Sequence, residues 1–280
     1  MTPPQTRLDA AHLQTRLDAA HLQTRLDAAM DLAERAGELA MEMRPPPGLA
    51  RAVLKGPQDW VTEADGAVER FLSEELAVAF PGDGFQGEEG GISRSGALRW
   101  VVDPIDGTSN YARGGARFCV SLACMEGDTP LIGVIAAPAL RETIWAWRGG
   151  GAWLNGDAIH AAETRDVGQA IMEVGWSRRR PNADYLALCE RILADGASLR
   201  QGGSGALGLV DVAIGRQDGF AELHIHLWDV AAALVILREA GAKVSDFLAG
   251  TGATEGNGII ACAPGLAAAW SELPGLPRPA

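Results

Sequence analysis

The chain has no uninterrupted apolar run of the roughly 18 residues needed to cross a bilayer. Its start is polar and charged where a secretory signal would need an apolar core. These two absences lead to the expectation of a soluble, cytoplasmic protein. The four cysteines, Cys119, Cys124, Cys189 and Cys262, include no Cys-x-x-Cys pair. That argues for reduced, partly buried thiols and against a zinc site or a disulfide frame. Positive charge is short: 24 Lys and Arg face 36 Asp and Glu, for a formal net charge of −12. A surface of that sign repels nucleic acid and anionic lipid at long range, so neither is expected as a partner. An anionic ligand must then be drawn in locally, by a bound cation or by backbone N–H groups. What the chain does have is size. Its 280 residues, 47% hydrophobic, suffice for one large domain or two smaller ones on a shared core.

The N-terminus is a tandem repeat. TRLDAAHLQ occupies 6–14 and 15–23, and TRLDAA begins a third copy at 24–29. A nine-residue period turns a helix by ~900°, so successive copies face opposite sides. Leu8 and Leu17 therefore cannot share one buried stripe, and the repeat is expected to be an exposed, mobile duplication of a helix start, or else an oligomer contact. From Leu26 the spacing improves. Leu26, Met30, Ala33, Ala36, Ala40 and Met43 predict a helix stopped by Pro45–Pro47. Val68, Phe71, Leu72, Leu76 and Phe80 predict a second helix over 61–80. Short strands follow at 100–102, 118–125, 131–136 and 142–146, with a hairpin in GGGAWLNG (149–156). No helices intervene, which points to an antiparallel sheet. Beyond residue 165 the character changes. Helices are expected at 184–194 and 229–241, and strands near 170–175, 218–223, 243–246 and 258–262. The division expected is a repeat over 1–25, an α+β subdomain over 26–165 and a second subdomain over 166–280 that completes the site.

The stretch that carries chemistry is DPIDGTSNYARG (103–114). Asp103 and Asp106 stand at the end of an apolar strand, stiffened by Pro104. Gly107 permits a sharp turn and leaves its N–H accessible, and Thr108 adds a hydroxyl. If 107–114 open a helix or a nest of N–H groups, an anion can sit there. Taken alone, Asp-Pro and Asp-Gly are ordinary turn dipeptides. Three further acidic stretches shift the balance: Asp65 in VTEAD, Glu88 and Glu89 in GEEGG, and Asp229 in LWDVAAA. Each has a bland explanation, a helix cap for Asp65 and Asp229 and solvated charge for the glutamates. Four such elements, each after an apolar segment, point instead to convergence. Oxygen ligands without His or Cys favour a hard ion such as Mg²⁺. Several converging acids can hold two ions ~3.5–4 Å apart. The metals would supply the positive field that the acidic surface lacks. His224 and His226, alternating with Glu222, are read as packed or rim histidines rather than substrate contacts. Arg178–Arg180 are read as a solvated loop rather than an anion contact.

VTEAD, GEE, DPIDGTSNYARG, GVIAAP, GGGAWLNG, GSGALGLVDVAIGRQDGFAE and WDVAAALVILREAGAKVSD occur in this order. Over roughly residues 25–270 the chain thereby resembles the inositol monophosphatase family of Mg²⁺-dependent, lithium-sensitive phosphatases. The resemblance implies an α+β fold, a layered α-β-α-β-α sandwich, working as a homodimer. It implies two or three Mg²⁺ ions held by Glu88, Asp103, the Ile105 carbonyl, Asp106 and Asp229. Asp65 and Thr108, with Glu88 nearby, would orient the attacking water. Gly107 and Thr108 would receive the phosphate, with Asp106 beside it. Gly205, Glu222 and Asp229 would face the alcohol, and Lys55 would stand beside the site. Departures fall at Ala233 and Ala242, where the family usually has glycine; both are expected to be packing positions. The implied activity is hydrolysis of a small phosphate monoester, with myo-inositol monophosphate or a similar polyol or sugar phosphate as substrate. Alternatives are histidinol phosphate, 3′-phosphoadenosine 5′-phosphate, fructose 1,6-bisphosphate, or a regulatory binding role.

Overall fold

The first helix owes its position to small residues. In α1 (Thr6–Glu42) Leu26, Ala29, Ala33, Ala36 and Ala40 are buried at helical spacing, which lets the backbone lie close on the sheet beneath. Met43 falls outside the helix and is exposed, so it extends the spacing without joining the core. The computed structural model describes the backbone of residues 6–46, 53–56 and 59–280. Side chains of 6–20, 55, 56 and 59 are outside that description, and with them the first repeat copy, the first six residues of the second, and Lys55; the expected mobility of the repeat falls there. Leu22 of the second copy packs partly buried against the core, and the third copy packs more deeply. Arg25 grips Asp83 with two hydrogen bonds of 2.9 Å, and Leu26 and Ala29 enter the core.

The remaining order is β1 (Val53–Gly56), β2 (Asp59–Val61), α2 (Glu63–Ala79), β3 (Gly84–Gly87), β4 (Gly91–Arg94), β5 (Leu98–Asp106), α3 (Thr108–Ala112), β6 (Cys119–Glu126), β7 (Thr129–Ala137), β8 (Glu142–Trp147), β9 (Ala152–Leu154) and β10 (Asp157–Ala158). Then come β11 (Ile171–Gly175), α4 (Asn182–Ala194), β12 (Ser198–Arg200), α5 (Gly205–Ile214), β13 (Gly219–Ile225), α6 (Leu227–Glu239), β14 (Lys243–Val244) and β15 (Asn257–Cys262).

Strands β3 to β10 form one sheet in the order β10-β9-β8-β7-β6-β5-β3-β4. It is antiparallel as expected, except that β3 and β5 run parallel. The exception arises because β4 turns back along the outer edge of β3, leaving β5 to add on its inner edge. The hairpin in GGGAWLNG turns at Asn155-Gly156, both at positive φ. The second sheet, β12-β11-β13-β15-β14, is mixed.

Three apolar layers hold these sheets. One lies between α1, α2 and the outer face of the large sheet (Leu72, Trp100, Leu122). A second lies between the two sheets and is filled by α5 and α6 (Val101, Leu209, Leu234, Phe220). A third lies under α4 (Leu188, Ile192, Met172, Val174). The layering is therefore α-β-α-β-α. Ala233 and Ala242 are both buried. Helices α5 and α6 are sandwiched between sheets and apolar nearly all round, which hides their period in the sequence; α5 was not expected at all.

Candidate active site

Asp103 and Asp106 are three residues apart, and in a regular strand that spacing sends side chains to opposite faces. The structure resolves the difficulty with a bulge rather than a turn. DPID remains part of β5, but Asp103 pairs with Ser121 and Asp106 with Cys119, which sets two residues, Pro104 and Ile105, opposite Val120 alone. The extra residue reverses the parity and brings both carboxyls to one side. Pro104, which cannot donate to a ladder, sits inside the bulge. Gly107 then takes φ 86°, and a Cβ there would lie 2.8 Å from the Arg117 carbonyl oxygen. Helix α3 starts at once, and Thr108 Oγ1 donates to the Ile105 carbonyl at 2.9 Å, with Asp65 Oδ1 at 3.3 Å.

Asp65 and Asp229 come from helix starts, but neither is the N-cap itself. Each is the third residue of its helix. Asp65 Oδ2 accepts the Thr62 N–H at 2.8 Å, and Asp229 Oδ2 accepts the His226 N–H at 2.9 Å. Such a reciprocal cap uses one carboxylate oxygen and leaves the other available, for the cavity in Asp229 and for the Thr108 hydroxyl in Asp65. Capping and site membership are thus compatible, where the sequence had set them as alternatives. Glu88 follows β3, and its loop is gripped by Glu69 of α2, which accepts the Glu89 N–H at 2.8 Å and the Gly90 N–H at 2.7 Å. Asp106 is clasped from the other sheet's side by the Ser204 hydroxyl, the Gly205 N–H at 3.2 Å and the Ala206 N–H at 2.8 Å.

Carboxyl oxygens of Asp103, Asp106 and Asp229 all lie within 4.8 Å of one another. None of the three is in an ion pair with lysine or arginine among the described residues. Burial, then repulsion from Glu88, Asp106 and Asp229, pushes the Asp103 carboxyl well above the usual carboxylate range. Burial and Asp229 do the same to Glu88, and burial and Asp106 push Asp229 up to about 7. Asp103 is within hydrogen-bonding contact of both Glu88 and Asp229. Carboxyls that close require a proton or a cation between them.

The acids open into a cavity of about 490 Å³. Glu88, Asp106, Gly107, Thr108, Gly205, Asp229 and Glu222 all line it. Asp65, Asp103 and Ile105 lie behind this lining. Beyond Glu222 the wall is aromatic and imidazole. His226 stacks on Trp228 with centroids 4.5 Å apart, and His224 meets His226 edge-on at 5.2 Å. Burial, then Arg179, lowers the His226 imidazole to about 4, so it faces the cavity uncharged. Arg178–Arg180 are exposed in a turn, as expected; Arg178 and Arg179 also border the cavity, while Arg180 pairs with Asp184 at 3.3 Å. Both histidines are half-buried and packed, and they form part of the cavity wall. Sequence reading also missed Ser204, Glu69, Trp60 and Trp176. Ser204 alone left a signal, as a serine at a helix start.

Comparison with known proteins agrees with this geometry. The model of the inositol monophosphatase family matches residues 21–274. Nus factor SuhB of Xylella fastidiosa is 40% identical over 197 residues, 70% of this chain and 72% of that protein. Inositol-1-monophosphatase of Rhizobium meliloti is 38% identical over 231 residues, 81% of this chain and 86% of that protein. Among solved structures, the extragenic suppressor protein suhB of Bartonella henselae superposes with a TM-score of 0.79 at 32% identity, covering 86% of this chain and 94% of that one. The inositol monophosphatase of Thermotoga maritima gives 0.75 at 32%, covering 86% and 93%. Five layers in this order, acids meeting across a bulged strand and a match through nearly the whole described chain have one reading: the chain belongs to the inositol monophosphatase family.

Proposed function

We propose that the chain hydrolyses a small phosphate monoester in a cation-dependent reaction, with myo-inositol monophosphate or a related polyol or sugar phosphate as substrate. The observation that carries the reading is the cluster of Asp103, Asp106 and Asp229, three carboxyls within 4.8 Å and without a basic partner among the described residues. An all-oxygen donor set of this kind suits a hard divalent ion, with Mg²⁺ the first choice. Glu88, Asp103, the Ile105 carbonyl, Asp106 and Asp229 would hold it. A cation there supplies the positive charge a phosphoryl group needs and eases deprotonation of the attacking water.

The chain's own residues do the rest. Asp65 and Thr108 are hydrogen-bonded to each other, so the Thr108 hydroxyl is aligned by a carboxylate fixed in a helix cap. That pair would orient a water, with Asp65 as the proton acceptor. Gly107 and Thr108 would place the phosphate against the acids, and Glu222 would take a hydroxyl of the alcohol. No Ser or Cys nucleophile is used. Cys119 lies beside Asp106, but burial and the neighbouring acids push its thiol well up, which keeps it protonated.

The test is phosphate release from myo-inositol 1-phosphate, histidinol phosphate, 3′-phosphoadenosine 5′-phosphate, fructose 1,6-bisphosphate and glycerol 2-phosphate, each with Mg²⁺, with EDTA, and with Mg²⁺ plus Li⁺. Release that needs Mg²⁺ and falls with Li⁺ is expected. Absence of release from every ester, by a protein that binds Mg²⁺, overturns the reading. A second reading has support in the relatives named Nus factor: a regulatory contact with another macromolecule. A stoichiometric partner retained by Asp103→Asn would establish it.

A further inference from the structure

Arg117 lies in the segment before β6, and the chemistry above does not use it. Its guanidinium bridges Glu173 of β11 at 2.6 Å and Asp211 of α5 at 2.7 Å. Arg117 thus ties the segment leading into the large sheet to β11 of the second sheet and to α5. Glu173 is only 4% exposed, which keeps its pair poorly screened.

The same groups grip the loop that leads into α5. The Gly202 N–H donates to Glu173 Oε1 at 3.0 Å. Asn110 Nδ2 donates at 2.8 Å to both the Gly202 and Arg117 carbonyls. A Cβ on Gly202 would lie 2.0 Å from Arg117 Nε, so the loop backbone rests directly on the guanidinium. Two residues later this loop delivers the Ser204 hydroxyl and the Gly205 and Ala206 N–H groups to Asp106. An unbroken set of contacts therefore joins Arg117 to the orientation of Asp106.

We propose that Arg117 is a positioning residue: by clamping Glu173 and Asp211 it fixes the 202–206 loop, aims Asp106 and so sets the affinity of the site for its divalent cation. This rests on the cation reading of the preceding section. A carboxylate held by three donors presents its oxygens in one orientation, and loss of such support weakens metal binding by about 10- to 100-fold. A residue that merely tied the two sheets together would lower the melting midpoint and leave cation binding alone.

The experiment is titration calorimetry of Mg²⁺, and electron paramagnetic resonance of Mn²⁺, on cation-stripped full-length protein. The parent is compared with Arg117→Gln, Asp211→Asn and Asp103→Asn, with circular dichroism to verify folding. Arg117→Gln is expected to weaken binding about tenfold. Asp211→Asn, which leaves Glu173 paired, should weaken it less but by more than twofold. Affinity within twofold of the parent in a folded Arg117→Gln overturns the inference. If that variant does not fold, Asp211→Asn decides by the same criterion. A parent that binds no cation overturns the reading of the site itself, a result distinct from a parent that binds and variants that bind equally well.

Discussion

Asp103 is surrounded by carboxyls and by no base among the described residues, so burial and repulsion both work against its charge. Asp103→Asn should therefore act in two opposite directions. Phosphate release should fall by at least about a hundredfold, because a central member of the proposed cation site is gone. The cation-free protein should melt higher, because a repulsive buried charge is gone too. A melting scan in EDTA beside the activity assay checks both, and full activity in this variant would sink the proposed role of Asp103 in holding the cation. Gly107 permits a sharper prediction. Its left-handed φ of 86° and the 2.8 Å approach of the Arg117 carbonyl leave no room for a methyl group. Gly107→Ala should cost about 2 kcal/mol in urea unfolding. At this scale the sequence spoke clearly where a residue type had a single use, as with the acids and this glycine. It was silent on Glu69 and Arg117, whose value lies in what they touch across the fold, and it did not show that the exposed Arg178 and Arg179 also border the cavity.

Helices α2 and α6 do two things with one first turn, since each ends its cap on the acid that faces the site. Their amphipathic or acidic starts made them legible. The failure at α5 has a plain cause: GALGLVDVAI is buried between two sheets and has no polar face to mark a period. The parallel β3–β5 pair was equally hidden, because strand order depends on where β4 folds back and not on any local pattern. Helix α1 gives the element-scale prediction. Arg25, from the third copy of the repeat, is the two-pronged partner of Asp83, which is 6% exposed and also accepts the Trp100 indole N–H at 3.1 Å. Arg25→Ala would strand that carboxylate and should cost about 3 kcal/mol. A chemical denaturation midpoint unchanged by the substitution would show that α1 is anchored by its alanines alone.

Across the whole molecule, the acids that converge on the cavity come from both sides of the sandwich, and bringing them together without a cation opposes folding. The sign follows from the raised carboxyls. Asp103, Glu88 and Asp229 bind protons more readily folded than unfolded, so their contribution to stability is complete below the ordinary carboxylate range, near pH 4. It is lost as pH rises through the folded values, about 7 for Asp229. In EDTA the melting midpoint should accordingly decline between about pH 4 and 7. Mg²⁺ at neutral pH should restore it by mass action, since the unfolded chain cannot gather residues as far apart as Glu88 and Asp229. A midpoint indifferent to both pH and Mg²⁺ would count against the cluster.

The shared first turns of α2 and α6 carry one more implication, for warmth. Helix ends loosen before sheets do. When the Thr62 or His226 N–H lets go, the carboxyl it held swings with it, and the site loses its proposed proton acceptor or one of its proposed cation holders in a molecule that is otherwise intact. Activity should then peak several degrees below unfolding, and added Mg²⁺ should draw the peak upward toward it.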